Sequence, residues 1–472
     1  MPARIRVAFA ACLALASGLW ACQKSARGPT LEQRAKAAPV QQQPLPEGRV
    51  RMPSPLESAS GPKLSAAVVP QLDDDGDDDG SADANAPAPA SSGHFERVGR
   101  PPLALERICD LTPLGDALYA AHATRPLGLD GATISRYRPS DAKPFSVAFD
   151  WNRAGEPAKG GGAGQGFLRV HAIAGRLFVA DADPPYNGFG FAEPGTEGYV
   201  FVSTSSGQFA GARMPGHLPP RPPDRERAGA AVLPRAYHVI DVIRFRGELY
   251  AATGSVPPGQ RAWHGASPGA LQVEHELGAR FEYVADYPNP YQNGVWRLTY
   301  LVRFRDRLYA GLQDYDQREP NDYLYFAPPR ERARIEQADL HAARVTEAGT
   351  SQTLRWYADQ GRLYWIAWNR EGVALRVTED GDTWRVVPLP TDLGVPTDIA
   401  RYRGALWVLM SRGLVRLDAP SAGYSVVSRV ADKKSPFELD DSFCAAPLAV
   451  FQGALYAGGQ RDGALYRFQE DG

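Results

Sequence analysis

Among its 472 residues the chain has only four cysteines, four methionines and eight histidines, and seven of its 52 basic residues are lysine. Four thiols in so long a chain exclude a disulfide-dense small scaffold. The histidines show no H-E-x-x-H or similar paired spacing, so a metal site would need ligands from distant parts of the chain, and none is expected. The formal net charge is −2. Through residue 93 the chain holds nine Lys/Arg and ten Asp/Glu of the 52 and 54, leaving 43 against 44 in the remainder. A near-neutral domain without a basic run lacks the electrostatic footprint of a nucleic-acid binder. No nucleophile elbow or catalytic cysteine motif is present. The glycine run GGGAGQG (160 to 166) has no Lys-Ser/Thr ending and no strand-to-helix setting, so it is not a phosphate loop, and no cofactor is implied.

A short motif recurs seven times: GDALYAA (from Gly115), GRLFVA (Gly175), GELYAAT (Gly247), DRLYAGL (Asp306), GRLYWIA (Gly361), GALWVLM (Gly404) and GALYAGG (Gly453). The shared leucine falls at 118, 177, 249, 308, 363, 406 and 455, in steps of 59, 72, 59, 55, 43 and 49 residues. That is the period of a propeller blade. The simplest copy, 398 to 430, reads as four short strands joined by tight turns, with no helical period. Leu and the aromatic sit in strands flanked on both sides and are read as core. The expected fold is all-β, a seven-bladed β-propeller of four-stranded antiparallel blades. The last copy lacks a fourth strand before the chain ends. HFERV (94 to 98), with Phe95 in the position of Trp384, has the matching pattern and is expected to complete that blade and close the ring.

The turn TEDGDTW (378 to 384) resembles the Asp-box of bacterial neuraminidase repeat proteins, with degenerate relatives at VSTSSGQF (202 to 209) and EHELGARF (274 to 281). The resemblance implies a hairpin between the third and fourth strands of a propeller blade and carries no activity. Kelch-like propellers are the neighbouring class, although their doubled glycine occurs here only at Gly458-Gly459, in another strand.

Arg4 and Arg6 precede the apolar run VAFAACLALA, too short for a mature spanning helix, so residues 1–21 read as an export signal. Leu19-Trp20-Ala21-Cys22 looks like a lipobox, which implies a lipid on Cys22 and attachment to the bacterial cell envelope. Gln23 after the lipid favours the outer membrane. Residues 22–93 are rich in Pro, Ala and Asp and read as a disordered tether, with the propeller occupying 94–472. Within the tether Asp75, Asp77, Asp79 and Gly80 open a calcium-loop pattern. The twelfth position, where such a loop needs Glu, is Ala86, so the Asp73 to Asp79 run reads as a self-repelling spacer.

Cys12 leaves with the signal and Cys22 carries lipid, so Cys109 and Cys444 remain. They stand nine and eleven residues before Leu118 and Leu455, at nearly equivalent places in the first and last blades. In an exported protein they are expected to form a disulfide across the ring's seam.

Counting back eight residues from each repeat leucine gives Asp110, Arg169, Asp241, Tyr300, Arg355, Asp398 and Pro447, expected at the mouth of the central channel. His171, His238, Arg297 and Trp356 stand nearby. Of these, Arg169, His171, His238, Asp241, Arg297, Tyr300, Arg355, Trp356 and Asp398 form the candidate ligand-binding funnel. Long second-to-third-strand loops at 182 to 198, 254 to 269 and 313 to 322 would wall one side. Two functions fit. One is a membrane-tethered, monomeric binding or scaffolding module for a glycan or envelope protein. The other is a sialidase-type glycoside hydrolase, in which Arg169, Arg297 and Arg355 would clamp a carboxylate and Tyr300 would act as nucleophile. The Arg-Ile-Pro signature of that enzyme class is missing, RYRP (136 to 139) being a weak substitute, and no Glu stands at a channel position, so the balance lies with the binding module.

Overall fold

The computed structural model describes residues 92–471 apart from 104, 124–130, 152–165, 183–196, 210–227, 256–267, 276–279, 289–295, 315–317, 420–422, 431–434 and 440–443. The signal, Cys22, the Asp-rich run and most of the three wall loops lie outside the described residues.

The described chain is a β-propeller of small, mostly antiparallel sheets built from the copies of the repeat. The tight turn between the first two strands explains the motif's glycine. Ala174-Gly175, Arg246-Gly247, Gln360-Gly361, Arg403-Gly404 and Gln452-Gly453 all have both residues at positive φ, between 45° and 83°. Such a two-residue hairpin suits the strand twist, and glycine at its second position removes the Cβ clash. In copy four Arg305 has φ 54° but the following Asp306 is not in the positive-φ region.

Leu and the aromatic then enter the second strand on opposite faces, as strand geometry requires. Each leucine packs toward the preceding copy and each aromatic toward the following one. Leu308 joins a cluster with Tyr250 and Leu271 of copy three, whereas Tyr309 joins one with Trp356 and Trp365 of copy five. Leu363 and Tyr364 repeat the arrangement one copy on. In the same way Leu118 meets Tyr456 and Leu465 of the last copy, and Tyr119 meets Tyr199 and Phe201 of the second. Every motif leucine is buried, and the core is a series of intersheet layers rather than a single centre. At about 1.5–3 kcal/mol per large side chain removed from water, these layers are the main favourable contribution to the fold.

Seven separate sheets were expected, and the structure corrects that count. Five are four-stranded; copies two and three share one eight-stranded sheet. Their outer strands, Gly229–Pro234 and Arg280–Tyr287, meet in a single parallel pair, Val232 with Arg280. Strand Gly93–Gly99 pairs antiparallel with Leu465–Glu470, Phe95 opposite Phe468, so the last copy takes its outer strand from the beginning of the chain. The Phe95 ring lies 4.8 Å from Phe437 and 5.7 Å from Phe468. The first strand of each copy touches that of the next, and Leu448–Phe451 of the last touches Arg107–Leu114 of the first.

The turn at 378 to 384 is held by Asp380, whose Oδ1 accepts from the Thr383 N–H at 2.7 Å, the Asp382 N–H at 2.8 Å and the Thr378 hydroxyl at 2.9 Å. Those backbone donors, Thr383 first, keep the Asp380 carboxyl well below the ordinary range. Trp384 leaves the turn to donate its indole N–H to the Tyr323 hydroxyl at 2.9 Å.

Candidate functional site

Six of the side chains picked out by counting back from the repeat leucine, or adjacent to such a position, lie on the first strands, but three of the aspartates have a structural task. Asp110 Oδ2 accepts the Val170 N–H at 3.0 Å, Asp241 Oδ2 the Leu301 N–H at 2.8 Å, and Asp398 Oδ2 the Leu448 N–H at 2.7 Å. Each acceptor carboxylate belongs to one copy and each donor to the next, so these carboxylates latch neighbouring first strands together. The geometry follows from the repeat: the donor is always seven residues before its own leucine and the acceptor eight before its own.

The remaining carboxylate oxygens meet the cations. Asp110 Oδ1 receives Arg355 Nη1 at 3.2 Å and Arg169 Nη1 at 3.4 Å. Arg355 Nε lies 3.1 Å from Asp398 Oδ1, and Arg355 Nη2 donates to the Cys109 carbonyl at 3.2 Å. Asp241 Oδ1 is 2.6 Å from His171 Nε2. The Arg169 guanidinium stands 5.2 Å from the centre of the Tyr300 ring, and the Tyr300 carbonyl accepts the Trp356 indole N–H at 3.0 Å. Asp110, Arg169, Arg355 and Asp398 therefore form one ion-pair network, with the Asp241–His171 pair near it. His238 and Arg297 lie beside Gly254, where an added Cβ would stand 3.5 Å from His238 Cδ2 and 3.4 Å from Arg297 Cβ.

Burial sets the electrostatics of the network. It pushes the Asp398 carboxyl up to about 8, against the opposing backbone hydrogen bonds from Leu448 and Ile399 and the charge of Arg169. Asp110 is also raised by burial, which outweighs Arg169 and His171. Burial would raise Asp241 too, but the charge and hydrogen bond of His171, with Arg169 and the Leu301 N–H, hold it below the ordinary range. For Arg169 the carboxylates Asp110 and Asp241 outweigh burial, so its cation is strengthened. The charge of neighbouring Asp110 adds to the rise that burial causes at Asp398.

Cys109 and Cys444 are bonded, with their Cα atoms 4.7 Å apart. The bond joins the residue before Asp110 to the segment leading to Leu448, so it braces the network covalently.

Sequence reasoning missed two features. One is His122, fully buried, whose Nδ1 lies 2.9 Å from the Arg107 carbonyl and Nε2 2.7 Å from the Ser135 hydroxyl. The carbonyl can only accept, so Nδ1 carries the hydrogen and Nε2 accepts from Ser135. Burial pushes this imidazole down to about 4, which keeps it neutral. The other is a small cleft beside the network, among Ile240, Thr299, Tyr300, Gln313 and Thr353 of copies three to five. His122 stands at no position singled out by the leucine count, whereas the cleft includes Tyr300, which does. Among the described residues no cluster of His, Cys, Asp and Glu has the arrangement of a metal site.

The chain matches no known protein family, and no curated protein matches it. Its fold is similar to solved structures at low identity. A catalytically inactive virginiamycin B lyase from Staphylococcus aureus with quinupristin is 10% identical, with a TM-score of 0.45 over 79% of this chain and 98% of the other. Prolyl oligopeptidase B from Galerina marginata, bound to a 35mer substrate, is 10% identical, with a TM-score of 0.43 over 79% of this chain and 49% of the other. Apo AztD from Citrobacter koseri is 10% identical, with a TM-score of 0.39 over 74% of this chain and 80% of the other. At such identities no activity is transferred from them.

Proposed function

We propose that the chain is an exported, lipid-anchored propeller that binds or scaffolds an envelope or extracellular ligand, a glycan or a protein, at the end of its central channel. In this reading the eight-stranded sheet counts as two blades, giving seven, and the pairing of Gly93–Gly99 with Leu465–Glu470 closes the ring. The intersheet layers support that count, since one of them joins the last copy to the first. The turn at 378 to 384 is an Asp-box, a peripheral blade element. Cys22 carries the lipid, residues 22–93 form the tether, and the outer membrane is the favoured location.

The observation that carries the reading is the polar network on the first strands, fixed by carboxylates that latch each strand to the next copy. A recognition surface needs such a preorganised frame. The sialidase alternative is disfavoured by the same geometry. Arg169 and Arg355 both contact Asp110, and Arg355 also contacts Asp398, so two of the three cations that should clamp a substrate carboxylate are already engaged. The deciding experiment is a glycan and envelope-fragment binding screen on the purified chain, run beside a fluorogenic sialoside assay. Saturable binding without turnover is expected. Turnover abolished by Tyr300→Phe would replace this reading with the enzyme.

A further inference from the structure

We propose that His171, beside the first-strand ion-pair network, contacts the ligand directly, and that its outward ring nitrogen, once protonated, donates to a carboxylate of the guest, so that binding takes up a proton. The inference rests on the reading of the ring as a binding module and names the chemical group which that module recognises.

The tautomer of His171 follows from its partner. Nε2 lies 2.6 Å from Asp241 Oδ1. Burial would raise the Asp241 carboxyl, but the charge and hydrogen bond of His171, with Arg169 and the Leu301 N–H, hold it below the ordinary range, so it is ionised and can only accept. Nε2 therefore carries the hydrogen. Asp241 is itself fixed, Oδ2 taking the Leu301 N–H at 2.8 Å and Oδ1 also taking the Val242 N–H at 2.9 Å. Nδ1 of His171 has no hydrogen-bond partner among the described residues and is open to solvent. The His171 side chain is 23% exposed, against 11% or less for Arg169, Asp110, Arg355, Asp398 and Asp241. A carboxylate thus orients the ring from below and leaves one nitrogen to meet a guest.

What surrounds that nitrogen specifies the guest. No carboxylate oxygen nearby is vacant. Asp110 receives the Val170 N–H and the two arginines; Asp241 receives His171, Val242 and Leu301; Asp398 receives the Leu448 N–H, the Ile399 N–H at 2.8 Å and the approach of Arg355. A cationic guest would therefore find no free carboxylate. A neutral imidazole presents a lone pair at Nδ1, which repels an anion. The protonated ring presents an N–H there, and a bond from such a cation to a carboxylate is of the strong, charge-assisted kind. The charges felt around the ring are Asp241 of copy three, Asp110 of copy one and Arg169 two residues before it. His238 and Arg244 stand three residues to either side of Asp241 on its strand. On the other neighbouring strands His122 is bonded to Ser135 and the Arg107 carbonyl, and Arg176 donates to the Ser203 carbonyl.

The test is calorimetric titration of the purified full chain at about pH 5 and about pH 8, the interval in which imidazoles titrate, in two buffers of different ionisation enthalpy. The probes are glucuronate and N-acetylalanine, with glucose and N-acetylalanine methylamide as their neutral counterparts. At least one carboxylate probe is expected to bind about tenfold tighter or more at the lower pH, with net proton uptake, while its neutral counterpart does not bind. Whichever carboxylate binds tighter identifies the source, a sugar acid or a peptide. His171→Gln keeps a donor for Asp241 but cannot take a second proton, so it weakens acid-side binding about tenfold or more and abolishes the proton uptake. Should that variant fail to fold, the wild-type pH dependence and proton uptake decide the matter. Equal affinity at the two pH values or binding without proton uptake overturns the proposal, as does a neutral counterpart binding as well as its carboxylate. So does a folded His171→Gln that keeps the wild-type affinity, or that keeps the pH dependence, which would then belong to Asp110 or Asp398. If both carboxylates fail while another ligand from the envelope screen saturates the chain, the role of His171 is wrong and the binding module stands. If nothing binds in either experiment, both readings fall.

Discussion

Replacing both Cys109 and Cys444 by alanine should lower stability by an amount that the loop they close allows to be estimated. The bond spans a sequence separation of 335 residues. The chain-entropy relation for a loop of that length gives about 5–6 kcal/mol of lost unfolded-state freedom, and native disulfides typically contribute about 2–5 kcal/mol. An unfolding entropy of about 2.1 cal/mol/K per residue amounts to roughly 0.8 kcal/mol/K for the described ring. A loss of about 3–5 kcal/mol therefore lowers the melting temperature by about 4–6 °C. The assay is calorimetry under non-reducing conditions, paired with guanidinium unfolding. Because the cross-link acts chiefly on the unfolded state, the variant's denaturant m-value should rise as the freed chain expands. A smaller local effect is also expected, since Arg355 donates to the Cys109 carbonyl and the bond braces that peptide. Unchanged melting temperature and m-value in the double variant would refute the cross-link as a constraint on this fold.

Three further outcomes follow from the network and the anchor. The Asp398 carboxyl is raised from 3.8 to about 8, so its contribution to stability is fully present below about pH 4 and is lost as pH rises through 8. Arg355, Asp110 and Arg169 surround it, and in a pH series of thermal melts Asp398→Asn should flatten the decline between pH 5 and 8; a parallel wild-type and variant profile would contradict the assignment. Asp241→Ala leaves the Leu301 and Val242 N–H groups without their acceptor, and His171 loses its partner. A cost of about 2–5 kcal/mol is expected by urea unfolding, and a change under 1 kcal/mol would show that the latch is dispensable. Cys22→Ser should move the protein from the membrane to the soluble fraction of cells, whereas continued membrane association would remove the lipid anchor from the proposal.

The repeat made the architecture legible because a blade's local demands are written locally: a positive-φ turn, then a leucine and an aromatic on opposite faces of one strand. Those demands recur in every copy, so the all-β propeller could be inferred from the repeat, the pairing of 94 to 98 with the last strand from its matching pattern, and the Cys109–Cys444 bond from equivalent positions in a chain read as exported. Tertiary structure decided the rest. Copies two and three share a sheet because their outer strands meet edge to edge, which depends on how neighbouring blades lie and not on either copy's own pattern. Asp110, Asp241 and Asp398 were singled out by their place in the repeat, but nothing in a linear count distinguishes a carboxylate aimed at a ligand from one that latches the next strand's N–H. Of the small cleft only Tyr300 was marked by the count, since its walls come from three copies and Thr299, Gln313 and Thr353 read along the chain as ordinary strand residues. Local preference specified each blade and its partners in sequence, while the packing of neighbouring blades determined which polar groups found partners across copies.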